Sequence, residues 1–334
     1  MQILTEIRKT VPVPWFCLAA LTGMAVLFLE ACNKVPSAKD PAGRGISVLG
    51  EADQGTDNSF VYTYDLSSPD HRVLLPSILA EISGICIYDS VCLAGIQDEV
   101  GRIFVFRMED GAIEKTINFA GEGDYEDITI VNDHFYVLKS NGNIYRVGKD
   151  QTIKTEISRY KTRLKSRNDC EGLTPAPQND GLLVACKGSP SLDRQHPPEN
   201  YRAIYRFSFQ TADIDTIPYL VINTDEIGLA ETKDWYQGIS IKLANRLSQY
   251  ENTAFQPSGI ACHPVTLDFY ILAHVGKMIL VTNDSGEILR ILPVDPAILA
   301  QPEGICFDDD GTLYLVSEGA GTDAVLAVFK AKNR

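Results

Sequence analysis

Five short segments recur along the chain in the same order, and their spacing restricts the fold more than any other feature. They are Glu81-Ile82-Ser83-Gly84-Ile85, Tyr125-Glu126-Asp127-Ile128-Thr129, Cys170-Glu171-Gly172-Leu173-Thr174, Gln256-Pro257-Ser258-Gly259-Ile260 and Pro302-Glu303-Gly304-Ile305-Cys306. With the glycine (or Asp127) as marker, the gaps are 43, 45, 87 and 45 residues. After each marker come a short apolar strand, a turn and a second strand, such as 135–138 or 313–316. A third strand follows, such as 102–106 or 143–147, and in most copies a fourth, such as 113–117 or 288–292. Short runs rich in β-branched and aromatic residues, separated by turn signals, predict antiparallel strands. Four strands in a period of about 40–45 residues is the spacing of a propeller blade. The expected fold is therefore all-β, a β-propeller of four-stranded blades.

The gap of 87 residues is close to two periods. Segments 204–207 and 216–222 complete the third blade. Residues 225–251 then read as an insertion, in which Trp235, Ile239, Leu243 and Leu247 recur at a spacing that marks one helix face. Residues 188–201, rich in proline and charge, read as a loop insertion. Five blades with an embellished third are favoured. Six remain possible, with Gln237-Gly238-Ile239 as a worn marker, but its distance of 21 residues to Gly259 is short for a blade. The last copy supplies three strands and ends near Phe329. Its missing outer strand is expected from the N-terminal side, in 60–65 or 71–75, which leaves no open sheet edge where the ring meets.

The formal net charge is −14 over 334 residues, which disfavours nucleic acid as a partner and suits cations. Six cysteines lie beyond Cys32, without a CxxC or zinc-like spacing. Most are expected as small buried residues, with Cys170 and Cys186, or Cys86 and Cys92, as the pairs to test for a bridge. His71, His134, His196, His263 and His274 share no zinc spacing; His274 ends a second strand, where acid–base chemistry is conceivable, although a hydrogen-bonded role is the simpler reading. No nucleophile elbow or phosphate loop is present. Asp309-Asp310-Gly311 reads as a hairpin turn.

The N-terminal region has a different character. Arg8 and Lys9 precede an almost unbroken apolar run over residues 11–29, the layout of a secretory signal. The run is also long enough to act as an uncleaved membrane anchor. Leu29-Glu30-Ala31-Cys32 resembles the lipobox of bacterial lipoproteins, with Glu30 a departure from the usual small or apolar residue. The resemblance implies a signal peptide over 1–31 and lipidation of Cys32. Residues 32–46, polar and containing Pro and Gly, then form a flexible tether to a propeller over 47–334. Asn33 follows the cysteine in place of aspartate, so the expected location is the cell envelope, at the outer membrane.

The succession of Glu81-Ile82-Ser83-Gly84-Ile85, the acidic pair Asp98-Glu99, the Glu171-Gly172-Leu173 marker, Pro257-Ser258-Gly259-Ile260 and Pro302-Glu303-Gly304-Ile305 with Ser317-Glu318 resembles the SdiA-regulated, YjiK-like propeller family over about residues 55–331. That family is distantly related to NHL-repeat proteins. The resemblance implies a propeller with a calcium site and no settled reaction. Lys139, Lys187, His274 and Ser258 depart from the acidic pattern of the other copies.

In a blade, the start of the first strand and the end of the second lie on one face. Glu81, Glu126, Asp127, Glu171 and Glu303 are thus expected at the channel mouth, joined by Asp98, Glu99 and Glu318. Carboxylates gathered about one axis repel unless neutralised, and Ca²⁺ takes oxygen ligands. The candidate calcium ligands are Glu126, Asp127, Glu171 and Glu303, then Glu81, Asp98 and Glu318. The alternative is a structural hydrogen-bond network in which Lys139 and Lys187 pair the carboxylates. The expected function is a non-enzymatic module that binds a small-molecule or protein ligand. A metal-dependent hydrolase of lactones or phosphoesters is the second expectation.

Overall fold

The computed structural model describes residues 62–149, 156–193, 200–230 and 255–333. The signal segment, Cys32, the tether and the helix face at 235–247 lie outside them. Among the described residues no helix is long and apolar enough to cross a membrane.

The described residues open with β1 (Tyr62–Thr63) and β2 (His71–Leu74). The first blade is β3 (Ile82–Ile87), β4 (Cys92–Gln97), β5 (Val100–Arg107) and β6 (Ile113–Glu122). The second is β7 (Tyr125–Val131), β8 (His134–Lys139), β9 (Ile144–Gly148) and β10 (Ile157–Tyr160). The third is β11 (Cys170–Pro175), β12 (Gly181–Cys186) and β13 (Tyr201–Ser208), with β14 (Asp213–Ile214) and β15 (Leu220–Asn223) both paired to β13. The helix α1 (Thr224–Ala230) follows. The fourth blade is β16 (Gln256–Cys262), β17 (Phe269–Val275), β18 (Met278–Thr282) and β19 (Ile288–Pro293). The last has β20 (Gln301–Phe307), β21 (Leu313–Glu318) and β22 (Val325–Phe329). A final strand, β23 (Lys332–Asn333), pairs with β1.

These sheets form a propeller of five blades. Its inner strands follow one another around the axis as β3, β7, β11, β16 and β20, and β20 packs back on β3. Closure is as expected from the missing fourth strand: β2 adds antiparallel to β22, with His71 opposite Val328 and Leu74 opposite Val325. Of the two candidate segments, 71–75 completes the blade, while Tyr62 and Thr63 latch onto β23.

Second strands read as unbroken apolar runs because both of their faces are buried. In β12, Leu183 and Ala185 face the core shared with the fourth blade, while Leu182, Val184 and Cys186 face the core shared with the second. In β17, Phe269, Ile271 and Ala273 face one interblade core, and Tyr270 and Leu272 face the next. Five such cores separate neighbouring blades. Alternate side chains of a strand point to opposite faces, so a strand between two cores needs apolar residues at every position.

The marker glycines serve the approach of inner strands. A Cβ on Gly84 would lie 2.6 Å from the Cα of Asp127, and one on Gly259 would lie 2.7 Å from the carbonyl oxygen of Glu303. A Cβ on Gly304 would meet the Cα of Gly84 at 3.1 Å.

His263 holds the N-terminal segment against the last two blades. Its Nδ1 accepts from the backbone N–H groups of Val265 and Thr266, so Nε2 carries the proton and meets the Tyr64 hydroxyl at 2.9 Å. The Tyr64 hydroxyl donates to the carbonyl of Gly311 at 2.6 Å. The tyrosine and histidine rings pack with Tyr270 and Phe307.

Candidate functional site: an acidic mouth on the axis

Every inner strand carries the same irregularity. In the first blade Ile82 faces Gln97 and Gly84 faces Ile96, which leaves Ser83 as an extra, unpaired residue. The same β-bulge isolates Glu126, Glu171, Ser258 and Glu303, each just before its marker. A bulge interrupts the alternation of a strand and re-aims one side chain. Here it turns Ser83, Glu126, Glu171 and Glu303 into one cavity.

Two further rings surround the first. Three residues before each marker stand Glu81, Asp124, Asp169, Gln256 and Gln301, where the chain enters its inner strand. Where the second strand leaves the ladder stand Asp98, Ser140, Lys187, His274 and Glu318. The cavity, about 310 Å³, is lined by Ser83, Asp98, Asp124, Glu126, Asp169, Glu171, Lys187, Glu303 and Glu318. All nine belong to these three rings, and seven are carboxylates against one lysine.

Five of the candidate ligands line this cavity together: Glu126, Glu171, Glu303, Asp98 and Glu318. Asp127 does not join them. It occupies the marker position and is buried at 1% exposure in the seam between blades. Its Oδ1 accepts from Ile128 N at 2.8 Å and its Oδ2 from Leu173 N at 2.6 Å. Burial pushes its carboxyl well up, and those two donors only partly oppose this. Glu81 is exposed on the entry ring, outside the lining. Asp124 and Asp169 were missed. The signal that could have found them is the three-residue offset they share with Glu81. Asp169 has a φ of 50°, a left-handed conformation that aspartate tolerates better than most residues.

The two lysines part ways. Lys187 Nζ donates to Glu171 Oε1 at 2.9 Å. Lys139 faces Tyr125 in the ladder, and its ammonium lies over the Tyr125 ring, 4.7 Å from the centroid. Ser140 takes its place at the exit and donates to Asp124. His274 Nδ1 lies 2.7 Å from Glu303 Oε1, and Gln301 Nε2 donates to Glu318 Oε2 at 2.8 Å. Ser258 is not among the lining residues, and its hydroxyl donates to the carbonyl of Pro302.

Crowding of carboxylates out of bulk water opposes their ionisation. Burial first, then the charges of Glu171 and Asp124, pushes Glu126 up to about 10. Burial raises Glu171 to about 7 against the pull of Lys187. Burial, followed by Glu303 and Glu81, raises Glu318 to about 7. Asp98 is also raised, by burial and then Glu81, and its Oδ1 is buried without a hydrogen-bond partner.

An all-oxygen donor set with an orphaned carboxylate oxygen fits a hard cation in its chemistry. As the side chains stand, no three His, Cys, Asp or Glu among the described residues converge closely enough to hold a metal ion. Direct ligation therefore requires the carboxylates to swing together; otherwise they hold the ion through water.

The second half of the ring carries a sequence match. Residues 222–320 match the model of the SdiA-regulated family. The matched stretch includes the markers Gly259 and Gly304 and the mouth residues His274, Glu303 and Glu318. No curated protein matches the chain. Among solved structures, virginiamycin B lyase from Staphylococcus aureus is 15% identical, with a TM-score of 0.41 over 79% of this chain and 73% of that one. Glutaminyl cyclase from Myxococcus xanthus is 9% identical, with a TM-score of 0.49 over 80% of this chain and 97% of that one. Likeness at this level carries no argument about ligand or reaction.

Proposed function

We propose that the chain is a binding module of the cell envelope, held to the membrane through lipid on Cys32, whose acidic mouth takes a cation, calcium first. The observation that carries this reading is the ring of seven carboxylates against one lysine, several of them held above their ordinary pKa. A divalent cation supplies the missing positive charge and favours the ionised carboxylates. Glu126, Glu171, Asp98, Glu303 and Glu318 would hold it. The bound ion would then present a charged face to a small-molecule or protein ligand. Calcium titration by calorimetry and a melting curve with and without calcium test the site. The reading expects saturable binding and a higher melting temperature; neither heat nor shift would overturn it. The lipid anchor draws on the Leu29-Glu30-Ala31-Cys32 motif. It expects fatty-acid label on the wild type and none on Cys32→Ala, which should leave the membrane fraction.

A second reading draws on the contact between His274 and Glu303. A histidine beside a carboxylate at the rim can take a proton from water next to a bound ion. That reading makes the protein a metal-dependent hydrolase. Turnover of a panel of lactones and phosphate esters, lost in His274→Ala with calcium binding retained, would favour it over simple binding.

A further inference from the structure

The third blade holds two thiols face to face under the acidic mouth. Cys170 opens β11 and Cys186 closes β12, and the two are direct partners in the antiparallel register. Lys187 N donates to Asp169 O at 2.7 Å, just beyond the pair, as a non-hydrogen-bonded pair requires. At such pairs the Cα atoms are about 4.5 Å apart and the side chains are at their closest, within the range a cross-strand disulfide can span. Both side chains are 0% exposed and belong to the same interblade core. Interaction with the Cys186 thiol, then burial, holds Cys170 well above its ordinary value.

No other pair of cysteines has this placement in the described ladders. Cys86 faces Ala94 on β4, and Cys92 faces Arg107 on β5, so these two are offset along the ladder. Cys262 faces Phe269 and Cys306 faces Tyr314.

We infer that Cys170 and Cys186 form a disulfide when the protein folds in the presence of a disulfide oxidant. One thiolate attacks a sulfur of the oxidant and releases one thiol. The second thiolate then attacks the resulting mixed disulfide and releases the other. Two electrons pass to the oxidant, which leaves as two thiols, and the cysteines give up two protons. Because both sulfurs are sealed in the finished seam, exchange occurs before the second and third blades close on each other. The bond ties the start of β11 to the end of β12. Asp169, Glu171 and Lys187 are the immediate chain neighbours of the two cysteines, so the cross-link fixes the backbone that carries three lining residues. Only the source of the oxidant in the cell rests on the proposed export.

The full chain, reduced and denatured, is refolded in a buffer of reduced and oxidised glutathione, and free thiols are alkylated without reductant. Trypsin then releases residues 168–187, which follow Arg167, end at Lys187 and contain both cysteines. The expected peptide is unlabelled and lighter by two hydrogens, and takes two labels only after reduction. A doubly labelled peptide from the glutathione refold, or either cysteine bridged to a third, overturns the inference. The same digest of protein recovered from its own cells separates the two readings: a bond that forms on refolding but is absent from cells counts against export and leaves the pairing intact.

Discussion

Protonation of His263 should weaken the fold by an amount the structure sets. The ring is 0% exposed. Burial, and then Arg290 against the opposing pull of Asp268, leaves it at about 4 in place of its ordinary 6.5. A base whose pKa falls on folding binds more protons in the unfolded chain, so its stabilising contribution is whole above the unfolded pKa. That contribution drains as pH falls from about 6.5 toward about 4. Between pH 7.5 and 4.5 the loss comes to about 2.5 kcal/mol. The mouth works in the other sense: Glu171 and Glu318, both raised to about 7, weaken the fold as pH climbs from their unfolded value toward 7. A wild-type profile alone therefore mixes the two. The comparison that isolates the ring is His263→Asn, whose side-chain oxygen can still accept from Val265 and Thr266 but does not titrate. Urea unfolding of both proteins at pH 7.5 and 4.5 should show the gap between them narrowing by about 2.5 kcal/mol at the lower pH. Parallel losses in the two proteins would refute the buried, neutral histidine.

Other outcomes follow from the mouth and the markers. Glu126, pushed up to about 10, is protonated at neutral pH, so Glu126→Gln should leave the metal-free melting temperature nearly unchanged and weaken calcium about tenfold or more by calorimetry. Calcium affinity should rise at least about tenfold between pH 6 and 8, because Glu171 and Glu318 must shed protons to meet the ion. Gly84→Ala places a methyl 2.4 Å from Asp127 Oδ1 and should cost about 2–3 kcal/mol in urea unfolding. Gly121→Ala meets nothing within 4 Å and should stay within about 0.5 kcal/mol of wild type.

The repeat was legible because two physical demands recur at matching positions from blade to blade. Close approach of the inner strands requires glycine at Gly84, Gly172, Gly259 and Gly304, and double-sided burial requires unbroken apolar second strands. The side-chain directions at the mouth were not legible. A bulge leaves no mark in composition, yet it aims Ser83, Glu126, Glu171 and Glu303 at one cavity, and in the first blade that position is a serine rather than a carboxylate. Asp127 looked like a mouth residue because it is acidic; its place in the repeat is that of a glycine, and the seam took it. Lys139 and Ser140 show the same sensitivity to one residue of register. In the third blade, the outer strand expected at 216–222 starts only at Leu220 as β15, and a separate two-residue strand, β14, precedes it on the same neighbour, a division no periodicity announces.

The last blade, finally, governs how this chain can fold. Its outer strand and its latch come from one end of the molecule and its other three strands from the opposite end; the Thr63 hydroxyl donates to Lys332 O across 269 residues. Four blades are contiguous in sequence and can form as the chain emerges, but the fifth must wait for residues near the C-terminus. Until then β2 has no partner, and the edges on both sides of the gap stay open to other chains. Ring closure is thus the slow, high-separation event of folding and the one most exposed to aggregation. A circular permutant opened between two middle blades, with the present ends joined, would move that vulnerable gap to another seam.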